Sequence, residues 1–230
     1  MKRLLLLVVA AFGGAACAGS VVDLPAAVDV PPPPTIAPSA RYRVTFEATW
    51  SASTHPTDAP PDPHFSPLVG AAHRETVRFW SPGALASEGI RRMAEEGRTS
   101  PLDEEIRSAI AAGHAQHLLI GGALSRSPGT IELELEISRD YPLVTLVTMV
   151  APSPDWFVGV TALRLLESDW VSERRVALQP WDAGTDSGET FRSPNRASDP
   201  REPIRLIDNG PLRDGSSVPP VGTFTFRRSS

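Results

Sequence analysis

Over residues 41–50 apolar and polar side chains alternate without a break, with Tyr42, Val44, Phe46, Ala48 and Trp50 on one face and Arg43, Thr45, Glu47 and Thr49 on the other. A period of two predicts a half-buried strand. Ile131, Leu133, Leu135 and Ile137 alternate in the same way against Glu132, Glu134 and Glu136. Residues 143–151 are apolar at almost every position, as expected of a central strand covered on both faces. Residues 75–80, 156–166, 174–178, 204–207 and 221–227 supply further strand candidates, separated by Pro, Gly, Asn or Asp turns. A Pro-rich, His-containing loop is expected through Ser66.

Between residues 84 and 113 the period becomes helical. Ser100 is placed to cap a helix, with Pro101 at its first position and Asp103 and Glu104 in the first turn. Leu102, Ile106 and Ile110 fall on one face, and Gly113 ends the run. Many short strands and one local helical stretch predict an all-β, antiparallel β-sandwich with a short helical insertion.

The ends change this picture. Residues 1–18 begin with Met1, Lys2 and Arg3, run apolar to Phe12 and finish in small residues, the pattern of an export signal. The run is shorter than the roughly 20 residues that span a bilayer. Ala16-Cys17-Ala18 fits a signal-peptidase site, whereas Gly14-Ala15-Ala16-Cys17 resembles a bacterial lipoprotein box with Gly14 in place of the usual Leu. In the second case Cys17, the only cysteine, carries lipid; in the first it is discarded. Neither leaves a thiol pair for a disulfide. Residues 31–34 are a run of prolines inside an unpatterned stretch, so residues 19–40 read as a polyproline-like linker. The domain is then expected over residues 41–228, and roughly 170–190 residues suit one domain.

The whole chain carries a net charge of −5, and loss of Lys2 and Arg3 makes it more acidic. An acidic surface without a basic patch argues against nucleic acid and anionic lipid as partners, which leaves a lipid on Cys17 as the membrane link.

Candidate chemistry lies in two acidic turns. Asp155 follows Pro152-Ser153-Pro154, and Asp182 and Asp186 sit in Trp181-Asp182-Ala183-Gly184-Thr185-Asp186-Ser187-Gly188. Turns at one end of a sandwich meet in space, so their carboxylates can share a hard cation. Calcium accepts irregular sets of six to eight oxygens. The competing reading is that each Asp satisfies its own turn.

Residues 152–195 resemble the core signature of the spondin N-terminal domain family. Trp50-Ser51-x-x-Thr54-His55-Pro56, His64-Phe65-Ser66-Pro67-Leu68-Val69-Gly70, Ala72-His73, Ala86-Ser87-Glu88-Gly89 and Ala94-Glu95-Glu96-Gly97 resemble its earlier segments in the same order. The resemblance implies a C2-like sandwich in which acidic side chains of these loops, and one from the preceding strand, hold calcium, and by motif Asp155 and Asp182 are the loop ligands. Glu136, nineteen residues before Asp155 on the polar face of its strand, is the third candidate by spacing, with a solvated face shared with Glu132 and Glu134 as its other reading, and Asp186 is the further candidate in the turn. It implies an exported binding or adhesion module at the cell envelope or in the extracellular space, facing a protein or glycan ligand at the cell surface. Animal members usually carry cysteines, so this chain is expected to be a bacterial member that relies on its core. An alternative is a structural envelope lipoprotein whose cation only pins loops.

Other motifs were weighed. His55, His64 and His73 are evenly spaced but lack the close spacing of a zinc site, so they read as loop-packing residues. His114 and His117, near a helix end, are expected to face solvent or the last carbonyls. Trp156, Trp170 and Trp181 are expected in the core, with an aromatic ligand rim as the second reading. A serine hydrolase using Ser187 and His73 would need glycines where Thr185 and Glu189 stand, and no other catalytic fingerprint occurs, so no enzyme is expected.

Overall fold

The computed structural model describes residues 36–230, and the leader, Cys17 and most of the expected linker lie outside them. The elements in chain order are β1 (Ser39–Ala48), β2 (His64–Phe65), β3 (Val69–His73), α1 (Glu88–Glu96), α2 (Leu102–Ala111) and β4 (Ala115–Ile120). They continue with β5 (Gly129–Ser138), β6 (Leu143–Ala151), β7 (Trp156–Arg164), β8 (Glu173–Leu178), β9 (Trp181–Asp182), β10 (Arg205–Leu206) and β11 (Gly222–Arg228). One sheet has the order β5-β1-β11-β8; the other runs β10-β9-β7-β6-β3-β4, with β2 also paired to β6. Every pairing is antiparallel. The all-β sandwich with a small helical insertion is therefore the fold, the helices entering between β3 and β4.

Alternation decides which side chains meet. Tyr42, Val44 and Phe46 of β1, with Phe224 and Phe226 of β11, point inward onto Val144, Leu146 and Val150 of β6 and Val158 of β7. Phe46 lies edge-on to Phe65 and Phe224 at centroid separations of 4.9 and 5.3 Å. The intervening residues of β6, Val147 and Met149, face the other way, onto Ile90 and Met93 of α1 and Ile106 of α2. That second cover explains why all of β6 is buried and why its sequence shows no alternation. Each large apolar side chain removed from water in these layers contributes about 1.5–3 kcal/mol.

Ser87 caps α1, its Oγ accepting from Ile90 N at 3.2 Å. Glu105 of α2 reaches across to accept from Gly89 N at 2.7 Å and from Ser87 Oγ at 2.8 Å. The two helices are thus locked where α1 exposes its free N–H groups. Ser100 does not cap α2: Pro101 occupies the cap position without a side-chain bond, and Ser100 Oγ donates instead to Glu104 Oε1 at 3.0 Å.

Several expected boundaries move. Residues 75–80 form no strand; Phe79 and Trp80 are both buried in the cluster that the helices cover. The strand lies earlier, in β3, between the end of the expected loop at Ser66 and residue 75, and β2 falls inside that loop. β3 was hidden because it is buried on both faces by small residues and contains Gly70, where a Cβ would lie 2.0 Å from Thr145 O. β1 starts at Ser39, inside the expected linker, and Ile36 and Ala37 pack against the core.

Candidate functional site

The β6–β7 hairpin ends in a turn held by Ser153, whose Oγ accepts from Trp156 N at 3.0 Å. The turn delivers Asp155 to the buried junction of β7 and β9. Trp156 pairs with Asp182 in the ladder, and Ala183 N donates to Asp155 O at 3.1 Å. The two acidic turns therefore do meet. Gly184 makes this approach feasible: its φ is +72°, and a Cβ there would fall 2.1 Å from Glu202 O.

Asp155 is fully buried. Its Oδ2 accepts from Thr185 N at 2.7 Å, Asp186 N at 3.0 Å and Thr185 Oγ1 at 3.2 Å. Its Oδ1 is enclosed with no hydrogen-bond partner among the described residues. Burial, with the nearby Asp182 carboxylate adding to it, pushes the Asp155 carboxyl up to about 7 against the three hydrogen bonds that favour its charge. Burial also raises Asp182, opposed by the Gly184 N–H and by Arg205. Asp182 Oδ1 accepts from Gly184 N at 2.8 Å, and Oδ2 from Arg205 Nη2 at 2.8 Å.

Asp186 behaves differently. Its Oδ1 accepts from Gly188 N at 2.7 Å and its Oδ2 from Arg196 N at 2.8 Å, so both oxygens staple their own loop. Glu136 is not brought to this cluster. It stands on the exposed face of β5 in the other sheet, opposite Arg41, with Arg41 Nε 3.6 Å from its Oε2. Among the described residues no three His, Cys, Asp or Glu side chains converge as a ready-made metal cage. Two features bear on a hard cation at Asp155 and Asp182: the first has an oxygen with no partner among the described residues, and the second a carboxylate whose counter-ion, Arg205, is 63% exposed. Asp186 and Glu136 do not join them in this arrangement.

A cleft of about 590 Å³ opens beside the pair, lined by Asp182, Arg205, Trp156, Asp58, Glu189 and Asp208 among others. Trp156 is nearly buried and stands edge-on to Phe191 at 5.3 Å, and Trp170 is buried with Nε1 donating to Ala37 O at 2.9 Å. Trp181 is half-buried against Trp80. Thr185 and Arg205 are the partners that sequence reasoning missed; Thr185 stood in the quoted turn, but only the fold shows its N–H and hydroxyl aimed at Asp155.

The histidines are dispersed. His55 places Nε2 3.1 Å from Pro219 O, and His64 places Nδ1 2.7 Å from Asp62 O. His73 is buried, Nδ1 donating to Arg74 O at 2.8 Å while Nε2 lies 2.8 Å from Thr145 Oγ1. Both ring nitrogens are thus occupied at the far end of β6, and Ser187 Oγ donates to Arg196 O, so the two do not form a nucleophile and base. His114 Nδ1 lies 2.8 Å from Thr76 Oγ1, and His117 belongs to β4 and not to a helix end.

The fold is a two-sheet antiparallel sandwich with a small helical insertion and a buried acidic pair at one loop end. Residues 40–218 match the family model described as Spondin_N. The chain is similar to Spondin-2 of Homo sapiens, 36% identical over 203 residues, covering 82% of this chain and 61% of that protein. It is also similar to Spondin-1 of Gallus gallus, 38% over 180 residues covering 74% and 22%, and of Bos taurus, 38% over 208 residues covering 83% and 25%. The chain belongs to the spondin N-terminal domain family, and it spans less than two thirds of the length of these relatives. Among the described residues no helix is long and apolar enough to cross a membrane.

Proposed function

We propose that this chain is an exported, non-enzymatic binding and adhesion module that holds one weakly bound calcium ion at Asp155 and Asp182. The observation that carries the reading is Asp155 Oδ1, a buried carboxylate oxygen without a partner beside a second buried carboxylate. Leaving such an oxygen unpaired costs about 1–3 kcal/mol. A calcium ion would supply the positive charge that Asp155 lacks and would share Asp182 with the exposed Arg205, and loop carbonyls and water would complete its shell. Thr185 and the Asp186 N–H keep Asp155 oriented, while Asp186 holds its own loop in place for that task.

The family membership and the leader pattern support a place at the cell envelope or outside the cell, with lipid on Cys17 as the anchor in a bacterial cell. The partner would be a protein or glycan at the cell surface, met at the cleft beside Asp182. Terbium offers a direct test because Trp156 and Trp181 neighbour the two aspartates. Tryptophan-sensitised terbium luminescence should appear, be displaced by calcium and vanish in Asp155→Asn; luminescence unchanged in that variant would overturn the site.

A further inference from the structure

The outer face of the β5-β1-β11-β8 sheet carries a second feature, unrelated to the acidic loops. Strand register arranges its side chains in rows. Glu134, Arg43, Arg227 and Glu173 lie directly opposite one another across the four strands, and Glu132, Thr45, Thr225 and Arg175 form the next row. In the first row two arginines face each other, which is unfavourable for a sheet unless something else answers their charge. Each leans away from the other: Arg43 Nε lies 3.4 Å from Glu134 Oε1, and Arg227 Nη2 lies 2.7 Å from Glu173 Oε2. Arg175 has no acidic partner among the described residues, and Thr225 makes no side-chain hydrogen bond among them. A groove of about 440 Å³ lies between these groups.

We propose that Arg43, Arg175 and Arg227, with the hydroxyls of Thr45 and Thr225, form an anion site for the sulfate or phosphate ester of a saccharide. The groove brings three guanidinium groups and the free Thr225 hydroxyl together; Thr45 Oγ1 donates to Glu132 Oε1 at 3.4 Å and Arg43 Nε lies 4.0 Å from Glu132 Oε2, exposed contacts that an anion would displace, and guanidinium forks match a multi-oxygen anion. The existing ion pairs do not oppose this, because Arg43 and Arg227 are exposed by 59% and 71%, and pairs so solvated are worth little. The site is small and carries acidic neighbours: Glu132 and Glu47 are among its lining residues, and Glu173 pairs with Arg227. These carboxylates repel a long uniform polyanion such as duplex nucleic acid, as they do an anionic bilayer. No aromatic side chain projects outward here to stack on a base. A discrete ester on a polar, hydroxyl-rich ligand suits a face built of Arg, Thr and Glu.

The test titrates the full chain with a sulfated disaccharide, the same sugar phosphorylated, and the unmodified sugar, following backbone amide shifts by NMR and heat by calorimetry. The expected result is weak, salt-sensitive binding of one or both esters, none of the plain sugar, and shifts centred on Thr45 and Thr225. Arg175→Gln and Arg227→Gln should each weaken binding roughly ten-fold, the size of one lost charge-assisted hydrogen bond. Arg43→Lys keeps the charge but loses the fork and should weaken it less. Arg107→Gln, on the exposed side of α2, serves as the control for net charge, and unchanged melting midpoints exclude misfolding. No binding by either ester, equal loss in Arg107→Gln, retention in Arg175→Gln, or equal affinity for the plain sugar, an RNA duplex or anionic vesicles would overturn the site.

Discussion

The two ends of the β6–β7 hairpin bury polar side chains in opposite ways. At the open end, His73, Thr145 and Ala162 form a closed network: Thr145 Oγ1 lies 2.8 Å from His73 Nε2 and accepts from Ala162 N at 3.0 Å, and His73 Nδ1 donates to Arg74 O. Ala162 sits at a φ of 47°, where the β6–β7 register shifts, and the hydroxyl of Thr145 supports that strained residue. Burial lowers the His73 pKa, so the ring stays neutral, as the network requires. At the turn end, Asp155 is equally buried but keeps one oxygen without a partner and faces a second carboxylate. A satisfied network explains itself by stability. An unpartnered carboxylate oxygen at a loop end is what the proposed cation would answer.

Thr145→Val breaks the satisfied end. It removes the partner of two buried groups and should cost about 2–4 kcal/mol in urea unfolding, by the same amount with calcium or with chelator. A smaller loss confined to chelator would mean that the two ends are coupled and the contrast is wrong.

Asp155→Asn attacks the defective end, and its sign is the opposite. The folded carboxyl, at about 7, stands above its unfolded value near 4, so the folded state binds the proton more tightly. The stability this gives is fully present below about pH 4 and is lost as pH rises through about 7. In chelator at pH 8 the wild-type chain therefore carries the whole cost of ionising Asp155, and Asp155→Asn should be more stable by up to about 4 kcal/mol. The variant should also flatten the fall in stability between about pH 4 and 7. A variant that is less stable than wild type at pH 8 in chelator would contradict the electrostatic argument.

Arg205→Ala gives the smallest effect and the finest test. Its ion pair with Asp182 is solvated on the arginine side, so its loss should cost no more than about 1 kcal/mol without calcium. Removing a cation beside the pair should tighten calcium binding, which calorimetry would read directly; weaker binding would show that Arg205 supports the site instead of competing for it.

Much of this was legible in the chain. Period-two alternation exposed β1 and β5, and the unbroken apolar run marked β6 as doubly covered. β3 escaped because small residues, a glycine and a histidine packed on both faces leave no period to read, and β4 because its run of half-buried Gln116, His117 and Leu118 shows none either. The turns carrying Asp155 and Asp182 could be chosen for chemistry, but not the separate fate of Asp186, whose oxygens are used by Gly188 and Arg196 N–H groups that only the folded loop brings near. Glu136 illustrates the opposite failure. Its polar-face position was read correctly, but one-dimensional spacing does not say which sheet a strand joins, and β5 joins the sheet whose outer face pairs Glu136 with Arg41.

The central proposal is that calcium answers the unpartnered carboxylate oxygen of Asp155, with Asp182 as the second ligand. Thermal melts at pH 8 with calcium titrated from chelator to millimolar concentrations test it most directly. The account predicts a saturable rise in melting temperature, worth about 2.7 kcal/mol at a hundred-fold excess over the dissociation constant, that is absent in Asp155→Asn and Asp182→Asn. No rise in the wild type, or the same rise in both variants, would contradict it.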